Sequence, residues 1–259
     1  MATTLTSNTF SNTYKDDFAD SAGYHRILFN SGKALQAREL TQMQTILQEQ
    51  VRRFGDNIFK EGSVVKPGSV ALNTKYEFVK LNTTSNALPT DTSTLVGTSF
   101  TGQTSNVIAK VIEVVDAVGS DPATIYVQYT NTLSSTASTA APIRFDPGED
   151  INNGSVTLTV QTTNTTANPA LGTGSRFSVA TGIYYTKGFF VFTDNQSKII
   201  SKYSDAPDAD IGFKVVEEIS SIADDTSLYD NQGTTPNLAS PGADRLRIRL
   251  VISLRTDIA

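Results

Sequence analysis

The 259 residues carry 38% hydrophobic and 18% charged side chains, a formal charge of −5, one histidine and no cysteine. That balance excludes the basic footprint of a nucleic-acid binder, disulfide staples and thiolate metal sites. No window is apolar for long enough to span a membrane, and Met1-Ala2-Thr3-Thr4-Leu5-Thr6 lacks the basic-then-apolar order of a signal peptide.

Thr, Ser and Asn replace the missing charge, and β-branched Thr with turn-forming Asn and Ser points to a mainly β protein. Residues 1–22 are polar with scattered aromatics (Phe10, Tyr14, Phe18) and read as an extended N-terminal arm ordered by lying on a neighbour. Tyr24 to Phe29 reads as a short strand or extended connector.

One prominent helix follows, over about 34–54, with Asn30 or Ser31 as its cap and Gly55 as its stop. Leu40, Met43, Leu47, Gln50 and Phe54 recur at spacings of 3, 4, 3 and 4, and Ile46 and Val51 widen the stripe. The opposite face is rich in Gln, Glu and Arg, and Glu49 to Arg53 is a favourable i,i+4 pair. The plain expectation is a stripe packed on the chain's own sheet. The sharper one is a seam between copies, with Gln50 as a register-setting polar layer.

Beyond the helix the pattern turns to β. Val64 to Leu72 reads as strand, turn and strand, continued by Tyr76 to Leu81. A framework domain is expected over 23–81 and 170–259, β-sandwich or barrel-like, interrupted by a small β domain at 82–169 with Thr/Ser-rich linkers. Within that insertion, strands are expected at Ser105 to Asp116, Thr124 to Thr130 and Ser155 to Val160. Thr132 to Ala141 reads as a surface loop and Gln161 to Pro169 as a linker. In the last part, Ile183-Tyr184-Tyr185 and Gly188 to Phe192 are apolar enough for a strand buried on both sides. Leu246, Ile248, Leu250 and Ile252 alternate as a half-buried strand does. The chain ends soon after, at Ala259, which reads as a strand completed by a partner or a protein that continues.

Catalytic constellations are missing from this pattern. His25 sits in an apolar run with no Gly-x-Ser-x-Gly elbow, and reads as a packed or capping residue. Asp205, Asp208 and Asp210 lack the glycine and distal Glu of a calcium loop and read as an acidic turn. Glu217-Glu218 and Asp224-Asp225 read in the same way. Asn237 to Arg245 reads as a turn-rich loop, with Asp244 pairing with Arg245 or with a partner's Arg. No enzyme activity and no cofactor is expected.

Two stretches carry a resemblance. One holds Gly32-Lys33-Ala34-Leu35-Gln36-Ala37-Arg38-Glu39-Leu40 and Phe54-Gly55-Asp56-Asn57-Ile58-Phe59-Lys60-Glu61-Gly62. The other holds Asp210-Ile211-Gly212-Phe213, Asp225-Thr226-Ser227-Leu228-Tyr229-Asp230 and Ala239-Ser240-Pro241-Gly242-Ala243-Asp244-Arg245. Both are similar to the uncharacterised N-terminal domain of large tail-fibre and baseplate structural proteins of contractile-tailed bacteriophages, including those of cyanobacteria. The likeness covers about 100 residues in two blocks, a split expected where a separate domain is inserted.

That resemblance implies a virion structural protein of the phage tail: a baseplate component or baseplate-proximal fibre attachment region, made in the host cytoplasm. Its partners would be other baseplate and tail proteins and copies of itself, with a homotrimer favoured. Candidate interface residues are Tyr24, Leu28, Phe29, Leu35, Arg38, Leu40, Met43, Leu47, Gln50 and Phe54, with Asp244 and Arg245. The alternative is a carbohydrate- or receptor-binding module of a tail fibre, with the inserted β domain as the recognition element.

Overall fold

The computed structural model describes residues 16–130, 143–232 and 235–257. The loop expected at Thr132 to Ala141, and most of the expected N-terminal arm, lie outside the described residues. The chain is mainly β with one long helix near its N-terminus, and none of its sheets closes into a barrel. Helix α1 spans Ala37–Ile58 and is followed by β1 (Val64–Lys66), β2 (Val70–Lys80), β3 (Ser99–Gly102), β4 (Ile108–Val115) and β5 (Thr124–Tyr129). Next come β6 (Asp150–Asn152), β7 (Thr157–Thr159), β8 (Leu171–Val179), β9 (Gly182–Thr186) and β10 (Phe189–Thr193). The remaining strands are β11 (Gln196–Ser201), β12 (Ile211–Ser220), β13 (Tyr229–Gln232), β14 (Thr235–Pro241) and β15 (Arg245–Leu254). The Tyr24 to Phe29 segment is a connector without regular structure.

Two compact units result, each built from segments distant in sequence. One takes Ala71–Ser178 and Ser197–Asp210. It is an open eight-stranded sheet in the order β11-β8-β2-β5-β4-β3-β6-β7. Its core gathers Val79, Leu95, Phe100, Val111, Ile125, Phe145, Ile151 and Leu158, all 2% exposed or less. The short strands β3 and β6 pair with each other and were not apparent in the sequence, where only four and three residues mark them.

Polar groups inside this unit are satisfied, as buried ones must be. Glu149 is buried and accepts from the backbone N–H groups of Thr104 and Ser105 (both 3.0 Å) and Asp146 (2.6 Å), which pins the β3–β4 turn. Lys80 is buried as well. Its Nζ donates to Asn168 Oδ1 at 2.7 Å and lies 3.9 Å from the centre of the Tyr203 ring. Burial lowers its pKa. Tyr203 in turn donates to Asp121 at 2.5 Å, and Lys202 donates to the same carboxylate at 2.6 Å. These bonds fasten the 197–210 segment onto β2 and β5.

The other unit comprises the chain up to Val70, Val179–Gln196, and the residues from Ile211 onward. Strands β1, β9 and β10 form one antiparallel sheet, and β12 pairs with β15 along ten residues. Strand β9 is the doubly buried one: Tyr184 and Tyr185 point to opposite faces and both are covered. Lys187 (φ +51°) and Gly188 (φ +84°) turn β9 into β10, the paired positive φ angles of a two-residue hairpin turn. A small core joins Tyr184, Val191 and Leu250 to Phe189, Phe213, Val215 and Ile248. Asn237 to Pro241, expected as loop, belongs to β14, which pairs with β13.

Candidate interaction surface

Helix α1 starts later and ends later than expected. The cap is Gln36, whose backbone N–H donates to Glu39 Oε2 at 3.0 Å, so Asn30 and Ser31 stay outside the helix. Gly55 does not stop it. Gly55 is buried inside the last turns, where a Cβ would lie 2.5 Å from Tyr185 Cε2. It is a glycine for close approach to a neighbouring ring, and the helix runs on to Ile58.

The helix turns its polar side inward. Gln42, Ile46, Glu49 and Gly55 are its buried residues, and Ile46 is the single large apolar one among them. Glu49 is only 3% exposed and accepts from Arg52 Nε at 3.0 Å and Arg52 Nη2 at 2.7 Å. The Arg52 hydrogen bonds outweigh burial and hold the Glu49 carboxyl down at about 2, from an ordinary 4.5. Arg52 also bridges to Asp56 at 2.7 Å. Tyr185 closes the network, donating to Asp56 Oδ1 (2.7 Å) with the Arg52 carbonyl oxygen also within 3.0 Å. Burial, and then the Asp56 carboxylate, push the Tyr185 hydroxyl up to about 12. Gln48 donates to the Gly188 carbonyl at 2.7 Å, and Phe59, Tyr185 and Phe190 pack ring to ring at 5.2–5.7 Å. The i,i+4 pair expected between Glu49 and Arg53 is therefore replaced: Glu49 takes Arg52, and Arg53 pairs with Asp20.

Residues 16–20 supply the rest of the cover. Asp17 accepts from Gln42 at 2.9 Å and faces Arg38 at 3.5 Å, and Asp16 accepts from Thr45. The described end of the N-terminal segment thus lies along its own helix, not on a neighbour.

The apolar stripe is left outside. Leu40, Met43, Leu47, Val51, Phe54 and Ile58 are all exposed, Leu47 by 61% and Phe54 by 66%. Gln50 is exposed in the same row. At 3.6 residues per turn these positions fall within an arc of about 100°, centred opposite Glu49 and Gln42. Ile46, counted with the stripe from its spacing, sits at the arc's edge and packs inward.

Tyr24, Leu28, Phe29 and Leu35 are exposed too. Leu28, Phe29, Leu35 and Leu40 line a groove of about 290 Å³ at the start of α1, with Lys33 and Glu39 on its polar rim. Ten of the twelve candidate residues, from Tyr24 to Phe54, therefore belong to α1 or the segment leading to it. Asp244 and Arg245 lie elsewhere, exposed at the start of β15, where Arg245 donates to the Ala243 carbonyl at 2.6 Å. The buried partners Glu49, Arg52, Asp56 and Tyr185 were missed. Only the i, i+3, i+7 spacing of the first three on one helix face could have signalled them.

No catalytic arrangement forms around the residues weighed for chemistry. His25 is exposed. Asp224 accepts from Ser221 at 2.9–3.0 Å and Asp225 from Ser227 N at 2.9 Å, as turn-forming aspartates do. Glu217 pairs with Lys187, while Glu218 meets Arg249 at 3.0 Å across the β12–β15 ribbon. Among the described residues no group of three His, Asp or Glu side chains could hold a metal ion, and no helix is long and apolar enough to cross a membrane.

Comparison with known proteins adds one likeness. Residues 12–92, a little under a third of the chain, match a family described as a domain of unknown function, DUF4815. That match takes in α1 and its outward face. No curated protein and no solved structure matches the chain.

Proposed function

We propose that this chain is a structural protein of a phage virion, a baseplate component or the baseplate-proximal attachment region of a tail fibre. It acts through protein–protein interfaces and catalyses no reaction. The observation that carries the reading is the inverted helix. An amphipathic helix ordinarily buries its apolar side, at about 25 cal/mol per Å² of apolar surface removed from water. Here the polar side is buried and the apolar side, together with the Leu28–Leu40 groove, faces solvent. Contiguous apolar surface of this kind marks a site that another protein covers. Its location in a tail rests on the two blocks that resemble baseplate and tail-fibre proteins.

The carbohydrate- or receptor-binding alternative draws no support from the aromatics of the inserted segment. Phe100, Tyr126 and Phe145 are buried and present no face to a sugar. The test is immunogold labelling of purified particles of the phage that encodes the chain. Label at the baseplate end of the tail is the expected result. Unlabelled particles in which mass spectrometry also finds no peptide of this chain would overturn the reading.

A further inference from the structure

We infer that the outward face of α1 is a seam between copies of this chain, three helices running parallel and in register with Gln50 facing Gln50. The inference deepens the reading of an assembly protein and rests on it. Four observations select a copy of the same chain as the occupant.

The first is the period. Leu40, Met43, Leu47, Gln50 and Phe54 alternate spacings of 3 and 4, the 3.5-residue repeat that lets helices wrap around one another. A helix laid on a foreign sheet has no need of that repeat. Exposure supplies the second: every member of the row is on the surface, so the repeat is not used within the chain.

Gln50 is the third. Against an apolar partner its amide would lose water and gain nothing. Facing its equivalents on parallel helices, each amide donates to one neighbour and accepts from another. An antiparallel pair centred on Leu47 would set Gln50 against Met43 and waste it. The fourth is width. Val51 and Ile58 lie beside the row and extend the apolar arc to about 100°, broader than the strict two-position seam of a helix pair. In a three-helix seam each helix meets two neighbours and covers that extra margin. The inner face of α1, bound to β9 and β10 through Glu49, Arg52, Asp56 and Tyr185, would stay as it is.

The absence of cysteine makes the test clean, because an introduced thiol is the chain's only one. Light scattering after size exclusion on the full chain should give three times the 27.8 kDa chain mass. With Gln50→Cys, oxidation should convert about two thirds of the chains to a covalent dimer on a denaturing gel, since three thiols at one three-fold axis form one disulfide. Lys75→Cys, exposed on β2 away from the stripe, should remain monomeric on the same gel. Leu47→Glu should reduce the solution mass to a single chain with unchanged circular dichroism.

A single-chain mass for the parent protein would overturn the seam. So would an oligomer indifferent to Leu47→Glu, or Gln50→Cys coupling no faster than Lys75→Cys. An oligomer that appears only once residues 1–15 are removed would assign the face to that segment and sink the proposal. A trimer absent from phage particles would leave the seam standing and remove the tail location. A monomer present at the baseplate would do the reverse.

Discussion

The two compact units bury their side chains to different degrees. The eight-stranded unit covers Phe78, Phe100 and Tyr126 completely and leaves few large apolar groups in water, such as Leu72 and Val118. The helix-bearing unit relies on a small core around Tyr184, Val191 and Leu250 and a polar network under α1. Most of the chain's exposed large apolar residues, from Tyr24 to Val70, belong to it. One unit is complete as a folded body. The other carries surface that makes physical sense only when covered.

That contrast can be broken most sharply in the complete unit. Phe100→Ala, at a fully buried position, is expected to cost about 3–5 kcal/mol in urea unfolding, because the cavity adds to the lost burial. A cost below about 1 kcal/mol would mean that this core is not packed as described. In the helix-bearing unit the largest effect belongs to a charge. Glu49→Ala leaves Arg52 and Asp56 without their buried anchor and should cost about 2 kcal/mol, less than a fully buried pair because Arg52 reaches solvent.

The same group predicts a pH dependence. The folded-state pKa of Glu49 is depressed, so its contribution is complete above about 4.5 and disappears as pH falls towards about 2. Unfolding midpoints measured between those limits should fall with acid in the parent protein and less steeply in Glu49→Ala. Equal slopes would remove the Glu49–Arg52 pair from the account.

Gly55→Ala should be smaller, about 1–2 kcal/mol destabilising. Overlap of the new Cβ with the fixed Tyr185 ring opposes the roughly 1 kcal/mol that alanine gains in a helix. A stabilised variant would show that the ring can move aside. The smallest change is expected at Phe54→Ala, below about 0.5 kcal/mol for an isolated chain, since Phe54 is 66% exposed. A loss comparable to that of Phe100→Ala, measured under monomeric conditions, would place Phe54 in a core and erase the contrast between the units.

Much of the local structure was legible in the sequence. The 3-4-3-4 row announced a helix, and the alternation of Leu246, Ile248, Leu250 and Ile252 announced β15. Thr-rich alternation announced a mainly β chain, because side-chain periodicity reports the backbone geometry of its own segment. What the sequence could not determine was which side of α1 faces inward. Periodicity says only that a helix has two unlike sides. The choice fell to partners far away in the chain: Tyr185 and Gly188, 129–140 residues from the helix positions they meet, and Asp16, Asp17 and Asp20, 25–33 residues before theirs. The same holds for Gly55, which looks like a helix stop until the Tyr185 ring is beside it, and for Lys80, whose burial depends on Asn168 and Tyr203. Local propensity is a property of consecutive residues. Satisfaction of buried charge and hydrogen bonds is a property of residues that meet only after the chain has folded.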